Sequence, residues 1–276
     1  MASVNDLRRL AEGLDHPEGV AVGADGMLYA GGEAGQIYRV DPSSGGFAQI
    51  ASTGGFVLGL CLDAAGFIYA CDAARAAIVR IDPGRGDVET FCDSAGGVAL
   101  TCPNWPAFAP DGSLVVSDSG REAIDVREGR VLRVPRGGGD AEVLDLPPLH
   151  FANGLAVEPD GEIVVLESFT PRLSRVVSGG LETIADLPGT TPDGVALIEG
   201  GGYLVGCYYP FQVLHVSADG SVETFLDDPT GIHMPMPTNL AFFGEVLNRL
   251  VLASLGGMWL SALETPFVGV PLNRPV

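Results

Sequence analysis

A single hydrophobic pattern recurs along the chain. A short apolar run leads into a tight turn, often written Asp-Gly, and a second apolar run follows the turn. In the first copy, residues 17–22 lead to Asp25-Gly26 and then to residues 27–30. The copies begin at Pro17, Val57, Pro103, Ala152, Pro192 and Pro237. Successive copies start 40 to 49 residues apart, and in each the turn follows eight residues after the start.

This spacing suits one four-stranded blade per copy. Further runs inside the copies alternate as half-buried strands do, at residues 36–41, 77–82, 130–134 and 212–216. No segment keeps a helical period. The sequence therefore predicts an all-β fold, a six-bladed β-propeller of four-stranded antiparallel blades, formed by residues 1–276 as one domain. Because closing the ring protects open sheet edges, we expect a strand near residues 7–10 to complete the last blade.

The second residue of each copy carries the candidate chemistry. Blades of a propeller are related by rotation about the channel, so these residues should lie at one height around the axis. The column consists of Glu18, Leu58, Asn104, Asn153, Asp193 and Thr238. Asn and Asp are also common turn residues, but four carboxylate or amide side chains in one column are better explained by a shared ligand.

Carboxylate and amide oxygens are the ligands that hard cations prefer. We therefore predict one divalent cation at the channel mouth, held by Glu18, Asn104, Asn153 and Asp193. Ca²⁺ fits this set best, with Mg²⁺, Mn²⁺ and Zn²⁺ as alternatives. An incomplete coordination sphere would let such an ion polarise a carbonyl and lower the pKa of water.

Composition narrows the possible partners. The chain has 15 basic residues against 35 acidic ones, a formal net charge of −20, and every basic residue is Arg. An acidic surface repels phosphate backbones and anionic lipids. We expect a small-molecule substrate and no nucleic-acid or membrane partner. The absence of Lys excludes Schiff-base chemistry.

The cysteines and the first residues suggest a compartment. The five cysteines are odd in number and show no CxxC spacing, which favours reduced thiols. The first ten residues contain no apolar stretch of signal-peptide length. Both observations predict a cytoplasmic protein. The sequence does not indicate an oligomeric state.

The motifs around the column resemble those of the SMP-30/gluconolactonase/luciferin-regenerating-enzyme-like family. The similar segments, in order along nearly the whole chain, are His16-Pro17-Glu18-Gly19, Pro103-Asn104, Asn153-Gly154-Leu155-Ala156, Pro192-Asp193-Gly194 and Pro237-Thr238-Asn239. The resemblance implies a six-bladed propeller with one divalent metal and, in many members, lactone hydrolysis. It implies that Glu18, Asn153 and Asp193 bind the metal. Asn104 would bind it or face the substrate, and Asp193 would be the candidate catalytic base.

One segment departs from the sugar-lactonase pattern. Those enzymes carry Arg two residues before the third-blade Asn and Asp just after it, whereas this chain has Thr101-Cys102-Pro103-Asn104-Trp105. The loops that lead to the mouth are also rich in apolar groups, as ligand pockets are. The candidate substrate-binding residues are Trp105, Phe151, His150, Tyr208, His233 and Met234. His150 and His233 are alternative proton carriers.

Together these features predict a metal-dependent hydrolase, gluconolactonase-like, that opens a lactone or related cyclic ester more apolar than a sugar acid lactone. Two alternatives remain. One is a non-catalytic ligand-binding propeller braced by its metal. The other is a metal-assisted isomerase or a different hydrolase on the same scaffold. A strictosidine-synthase-like propeller fits less well, because such propellers lack this metal set.

Overall fold

The computed structural model describes residues 3–276, which form six four-stranded antiparallel blades around a central channel. The first blade contains β2 (Val20–Val22), β3 (Leu28–Gly31), β4 (Gln36–Val40) and β5 (Phe47–Ser52). The second contains β6 (Val57–Leu62), β7 (Ile68–Asp72), β8 (Ala77–Ile81) and β9 (Val88–Cys92). The third contains β12 (Pro103–Phe108), β13 (Leu114–Asp118), β14 (Arg130–Val134) and β15 (Glu142–Val143).

The remaining blades follow the same order from the channel outwards. The fourth contains β16 (Ala152–Val157), β17 (Ile163–Glu167), β18 (Arg172–Val177) and β19 (Gly180–Asp186). The fifth contains β20 (Thr191–Leu197), β21 (Tyr203–Tyr209), β22 (Gln212–Val216) and β23 (Val222–Asp227). The sixth contains β24 (Pro237–Phe243), β25 (Arg249–Ser254), β26 (Leu260–Glu264) and, outermost, β1 (Arg8–Leu10). The propeller predicted from the repeat is therefore confirmed.

Ring closure is also as predicted. β1 pairs antiparallel with β26, with Arg9 opposite Ser261, so the start of the described chain supplies the outer strand of the last blade. The helical content of residues 3–276 is one 3₁₀ turn, Val4–Asp6, and a two-stranded ribbon, β10 (Ser94–Ala95) with β11 (Val98–Ala99), precedes the third blade. None of the helical segments described could cross a bilayer.

The apolar core lies between neighbouring blades. Six buried clusters occur, one at each junction of two blades, because each sheet is apolar on both faces and buries each face against a neighbour. Between blades 1 and 2, for example, Ile37 packs in one cluster with Ile68 and Val79, all three fully buried. This stacking fixes the rotation between blades and so fixes where each innermost strand begins.

The channel has one covered end. Its wall below the column is formed by apolar residues of all six innermost strands, and Leu272, Asn273 and Arg274 line it at the far end. The C-terminal segment is held there by hydrogen bonds, including Arg274 Nη2 to the carbonyl of Val22 at 2.7 Å and the amide of Ala64 to the carbonyl of Pro275 at 3.0 Å. A ligand would therefore reach the column from the mouth.

Innermost strands approach one another most closely just after the column position. A Cβ placed on Gly154 would lie 2.2 Å from the backbone oxygen of Asp193, and one on Gly19 would lie 2.1 Å from that of Leu58. The same contact occurs for Gly194 against Thr238, at 2.6 Å. Glycine is required at these positions because the neighbouring blade's backbone occupies the space of a side chain.

We expect Gly154→Ala to destabilise the protein by about 1 to 3 kcal/mol, because the added methyl group must push two innermost strands apart. The matched control is Gly180→Ala, since a Cβ on Gly180 meets nothing within 4 Å. The free energy of unfolding of that variant should lie within about 0.5 kcal/mol of the wild-type value. Denaturant unfolding checks both, and equal stabilities for the two variants would contradict the close-approach argument.

Candidate metal centre and active site

The column residues lie within irregularities of the innermost strands. In five blades the pairing with the second strand shifts register at the column, for example between Ala152 and Leu155 and between Pro192 and Val195. A bulge of this kind breaks the alternation of a strand and re-aims one side chain. The shift explains how residues 104, 153 and 193 turn toward the channel mouth while the rest of each strand keeps its core-facing pattern.

The four predicted metal ligands are all buried. The exposed fractions are 8% for Glu18, 4% for Asn104, 4% for Asn153 and 7% for Asp193. Burial is the largest cause that raises the pKa of Glu18 well above its ordinary value, and the charge of Asp193 adds to it. Burial also raises the pKa of Asp193 to about 7, partly offset by a hydrogen bond from Asn153. The two carboxylates therefore lie close enough to repel each other.

Two other buried carboxylates are paired with arginines. Asp118 and Glu167, 0% and 1% exposed, form ion pairs with Arg130 and Arg172. Glu18 has no such partner among residues 3–276, and its Oε2 atom is buried without a hydrogen bond. Burying a carboxylate without a compensating charge is costly. A bound cation would remove that cost, so the donor set fits a hard divalent ion.

Two serines orient the column amides. Asn104 Nδ2 donates to Ser119 Oγ at 3.0 Å, and Ser119 Oγ donates its single proton to the carbonyl of Ala152 at 2.6 Å. Because the hydroxyl proton is used there, the serine can only accept from the amide, which must present its nitrogen. The amide oxygen of Asn104 is thereby turned away from the serine.

The fourth blade repeats this arrangement. Asn153 Nδ2 donates to Ser168 Oγ at 3.0 Å, and Ser168 Oγ donates to the carbonyl of Pro192 at 2.7 Å. Asn153 Oδ1 is left buried without a hydrogen-bond partner in the described chain. A buried acceptor without a donor is the feature that a cation ligand would show. Each serine also ties its blade to the next one, directly before the next column residue.

These serines were missed from the sequence, although a signal was present. Ser119 and Ser168 each follow their asparagine by 15 residues, which is the distance to the end of the second strand across the hairpin. The structure also accounts for the two column positions that hold no predicted metal ligand. Leu58 is apolar and 7% exposed, and Thr238 Oγ1 donates to the backbone carbonyl of Glu18 at 2.6 Å, joining the last blade to the first.

Buried carboxylates also hold the loops that precede the column. Asp118 accepts the backbone amides of Thr101 and Cys102, and Glu167 accepts that of His150 at 2.8 Å. Hydrogen bonds to charged groups are among the stronger ones in proteins. The backbone of the loop that leads to each column asparagine is thus held in place before any ligand binds.

His150 is anchored on both sides of its ring. Its Nδ1 contacts Thr170 Oγ1 at 3.0 Å and its Nε2 contacts the carbonyl of Ile124 at 2.7 Å. The ring is 7% exposed. These contacts pin the long loop between β13 and β14, residues 119–129, against the fourth blade. They leave no free ring nitrogen for a substrate in this conformation, so His150 is placed as a positioning residue for that loop.

Three of the other predicted substrate-binding residues, Phe151, Tyr208 and His233, lie in mouth-side segments, whereas the fourth, Trp105, lies in the core. Phe151 stacks on Phe169 with ring centroids 4.9 Å apart, and Tyr208 is half-buried near the column. His233 is half-buried, and its backbone amide is bound by Asp228. Trp105 is 9% exposed and packs in the core between blades 3 and 4.

Met234 is not brought to the mouth. It has no exposed surface and packs with Phe225, Leu240 and Leu252 in the core between blades 5 and 6. The apolar pattern around residues 233–236 suggested a pocket wall, but in Met234 it reflects burial between sheets.

The cysteine nearest the column is not suited to nucleophilic chemistry. Cys102 is half-buried, and burial followed by the charge of Asp118 raises the pKa of its thiol to about 12. All five cysteines are unpaired. Cys102 therefore presents a neutral thiol where the sugar lactonases carry Arg.

Two further clusters could in principle hold a cation. Asp15, His16 and Glu33 lie near the mouth, and Glu158, Asp160 and Glu162 lie on a turn at the opposite face. Both are more exposed than the column. Their carboxylates are already engaged, since Asp15 accepts from Gln36 at 2.9 Å and Glu162 pairs with Arg175 at 2.6 Å. The column is the better candidate because its side chains are buried and two of its oxygens, Glu18 Oε2 and Asn153 Oδ1, lack partners.

The fold is a six-bladed propeller with a cluster of buried carboxylate and amide side chains at its channel mouth. A family model described as the SMP-30/gluconolactonase/LRE-like region matches residues 16–256. The chain belongs to that family. The resemblance drawn from the motifs is confirmed.

Individual relatives are distant. The chain is 28% identical over 236 residues to an adipocyte plasma membrane-associated protein of Salmo salar, which covers 73% of this chain and 56% of the relative. The chain thus spans just over half the length of that relative.

Two solved structures illustrate the shared fold. A gluconolactonase of Xanthomonas campestris superposes with a TM-score of 0.79 at 21% identity, over 94% of this chain and 89% of the other. A calcium-binding protein, regucalcin, of Agrobacterium tumefaciens does so with a TM-score of 0.79 at 16% identity, over 97% and 96%.

The carboxylate pair makes stability depend on pH in metal-free protein. We expect the free energy of unfolding in excess EDTA to fall as pH rises from about 4 to about 7. Over this range folded Asp193, with a pKa of about 7 against an ordinary 3.8, binds more protons than the unfolded chain, so raising pH destabilises the folded state. The full effect is on the order of 4 kcal/mol.

Urea unfolding at several pH values checks this expectation. Asp193→Asn should reduce the pH slope, with the remainder due to buried Glu18, whereas Asp186→Asn, at an exposed position of the same charge, should keep the full slope. Identical slopes for the wild type and Asp193→Asn in EDTA would show that the Asp193 carboxylate is not destabilised by burial. Saturating Ca²⁺ should flatten the wild-type profile.

Proposed function

We propose that this protein is a divalent-metal-dependent hydrolase that opens lactones or related cyclic esters. The observation that supports it most directly is the pair of buried carboxylates, Glu18 and Asp193, that lack cationic partners beside serine-oriented amides. Membership of a family that includes gluconolactonases agrees with this proposal. Glu18, Asn153 and Asp193 would hold the metal, with Asn104 beside them.

The proposed reaction needs a polarised ester carbonyl, oriented ligand oxygens and a proton acceptor. A divalent cation, when bound, supplies polarisation of the ester carbonyl and a lowered pKa for water. Asn153 and Asn104 are fixed by Ser168 and Ser119, so their oxygens need no reorganisation during the reaction. Asp193 is proposed as the group that accepts the proton of the attacking water. Because a bound cation would lower the proton affinity of this carboxylate, the role of Asp193 as a base is a separate question from its role as a ligand.

We propose further that the substrate is more apolar than a sugar acid lactone. Cys102 and Trp105 stand where the sugar lactonases have Arg and Asp, and burial keeps the Cys102 thiol neutral. Sugar hydroxyls need polar partners when they are buried. An apolar ring or chain needs none.

A lactone panel assayed by proton release, with and without EDTA, tests the activity. We expect hydrolysis that EDTA abolishes and that added Ca²⁺, Mg²⁺, Mn²⁺ or Zn²⁺ restores, with higher kcat/KM for alkyl lactones than for gluconolactone. Tight metal binding without turnover of any lactone would favour the alternative of a non-catalytic ligand-binding propeller. Turnover that is unaffected by complete metal removal would exclude the metal-dependent mechanism.

Asp193→Asn separates the two roles of Asp193. The variant keeps the shape of the side chain but removes its charge, so metal affinity should fall. At saturating metal we expect kcat to remain lower by about 10²- to 10⁴-fold, the usual cost of losing a general base. Leu58→Met, at the ligand-free column position, is the positional control and should keep kcat within about twofold of wild type. Full recovery of kcat in Asp193→Asn at saturating metal would make Asp193 a ligand alone.

Ser168→Ala tests the orientation of Asn153. Without the acceptor, the Asn153 amide can rotate, and metal affinity should weaken by about 10- to 100-fold, as loss of such supporting partners does. Ser174→Ala is the matched control, because Ser174 is 1% exposed in the same blade and its hydroxyl has no partner. Competition with a fluorescent chelator gives both affinities. Equal affinities in the two variants would refute the positioning role.

A further inference from the structure

Two strongly exposed apolar side chains lie near each other where blades 5 and 6 meet the mouth. Tyr209 is 65% exposed and Ile232 is 58% exposed. Tyr209 ends the second strand of blade 5, and Ile232 lies in the connection from blade 5 to blade 6, so both lie on the mouth side. Phe211 lies between them and is half-buried. We call Tyr209, Phe211 and Ile232 the apolar apron.

The apron is a packed surface rather than three separate side chains. The rings of Tyr209 and Phe211 meet edge to face, with centroids 6.3 Å apart. A Cβ on Gly231 would lie 2.9 Å from Phe211 Cε2, so the Phe211 ring rests directly on the loop that carries Ile232. The glycine leaves room for that ring and adopts a φ of 64°, which is open to glycine at little cost.

The loop is held from beneath by groups outside the apron. Asp228 Oδ2 accepts the backbone amides of His233 at 2.7 Å and Met234 at 2.9 Å. Arg9 Nη2 donates to the carbonyl of Ile232 at 3.1 Å. Because these bonds involve the backbone of the loop, replacing the Ile232 side chain leaves them in place.

The apron continues into the column. Tyr208, the residue before Tyr209, is half-buried, and after burial the charges of Glu18 and Asp193 are the next causes that raise the pKa of its phenol. Across the mouth the loop of residues 119–129 exposes Ile124, at 70%, and Arg127 anchors that loop by donating to Thr170. In the apron, by contrast, three apolar side chains are packed together beside Tyr208.

We propose that the substrate carries a hydrocarbon substituent that lies along Tyr209, Phe211 and Ile232 while its ester group is at the column. This inference rests on the proposed function and narrows its substrate class to alkyl-substituted lactones. The size of the apron favours a substrate chain over a second protein. Large aromatic residues bury about 150 to 250 Å² each, so three side chains fall short of the roughly 800 Å² per partner of a standard interface.

A chain-length series tests the proposal. γ-Lactones with side chains from methyl to octyl should show kcat/KM rising by up to about fourfold per methylene, the factor that corresponds to about 0.8 kcal/mol for each buried CH₂. In Ile232→Ser and Tyr209→Ser the rise per methylene should fall toward one, while kcat/KM for the methyl lactone stays within about twofold of wild type. Val246→Ser is the control, because Val246 is 62% exposed on the opposite face and should leave the rise unchanged.

Matched alkyl lactams, which hydrolases cleave slowly, make the test independent of turnover. Their dissociation constants, measured by calorimetry with Ca²⁺ present, should fall with chain length in wild type and in Val246→Ser but not in Ile232→Ser. Chain-dependent lactam binding without turnover of any lactone would uphold the apron and refute the proposed hydrolase. Lactone turnover or lactam binding that is indifferent to chain length would overturn the apron proposal. So would a wild-type dimer that becomes monomeric in Ile232→Ser, since the apron would then be an interface between copies.

Discussion

The contact on which the rest of the site depends is the close approach of neighbouring innermost strands at the channel mouth. At Gly19, Gly154 and Gly194 the backbone carbonyl of the next blade's column residue lies where a side chain would be. Hydroxyls of Ser119, Ser168 and Thr238 bond carbonyls of the next blade at the same height. These contacts bring side chains from four different sheets to one place, although no single sheet could present them together.

The same contacts explain why the site can be prepared before a ligand arrives. A serine hydroxyl that donates its proton to a carbonyl of the next blade can only accept a hydrogen bond from its asparagine. This fixes the orientation of the asparagine amide. Buried carboxylates at the ends of the second strands fix the loops that enter the column. The arrangement concentrates unsatisfied oxygen atoms, notably Glu18 Oε2 and Asn153 Oδ1, at the mouth. Preorganised oxygens of this kind lower the reorganisation needed to bind a cation or to stabilise developing charge.

The sequence predicted the propeller well because its blades are nearly periodic. The apolar runs and turns marked strands such as β14, Arg130–Val134, and β22, Gln212–Val216, and edge closure predicted β1 beside β26. The column could be predicted for a related reason, since rotation brings equivalent positions together. Ser119 and Ser168 required knowledge of which residue faces which across a hairpin with a register shift. Met234 shows the opposite error, because an apolar residue in a mouth-side loop can point into the core as readily as into a pocket.

The distribution of buried charge separates structural positions from candidate catalytic ones. Asp118 and Glu167 are as buried as any residue of the chain, yet each has an arginine and backbone donors, so each contributes to the stability of its loop. Glu18 and Asp193 have the same chemistry and nearly the same burial, but they face each other instead of arginines, and their pKa values are raised. A fold selected for stability alone would place a cationic or apolar residue in one of the two positions. Keeping both acidic makes the metal-free fold less stable, and that cost is offset only when a ligand of opposite charge is bound. This local conflict between two buried carboxylates therefore coincides with the position where the chemistry is proposed, as is typical of functional sites.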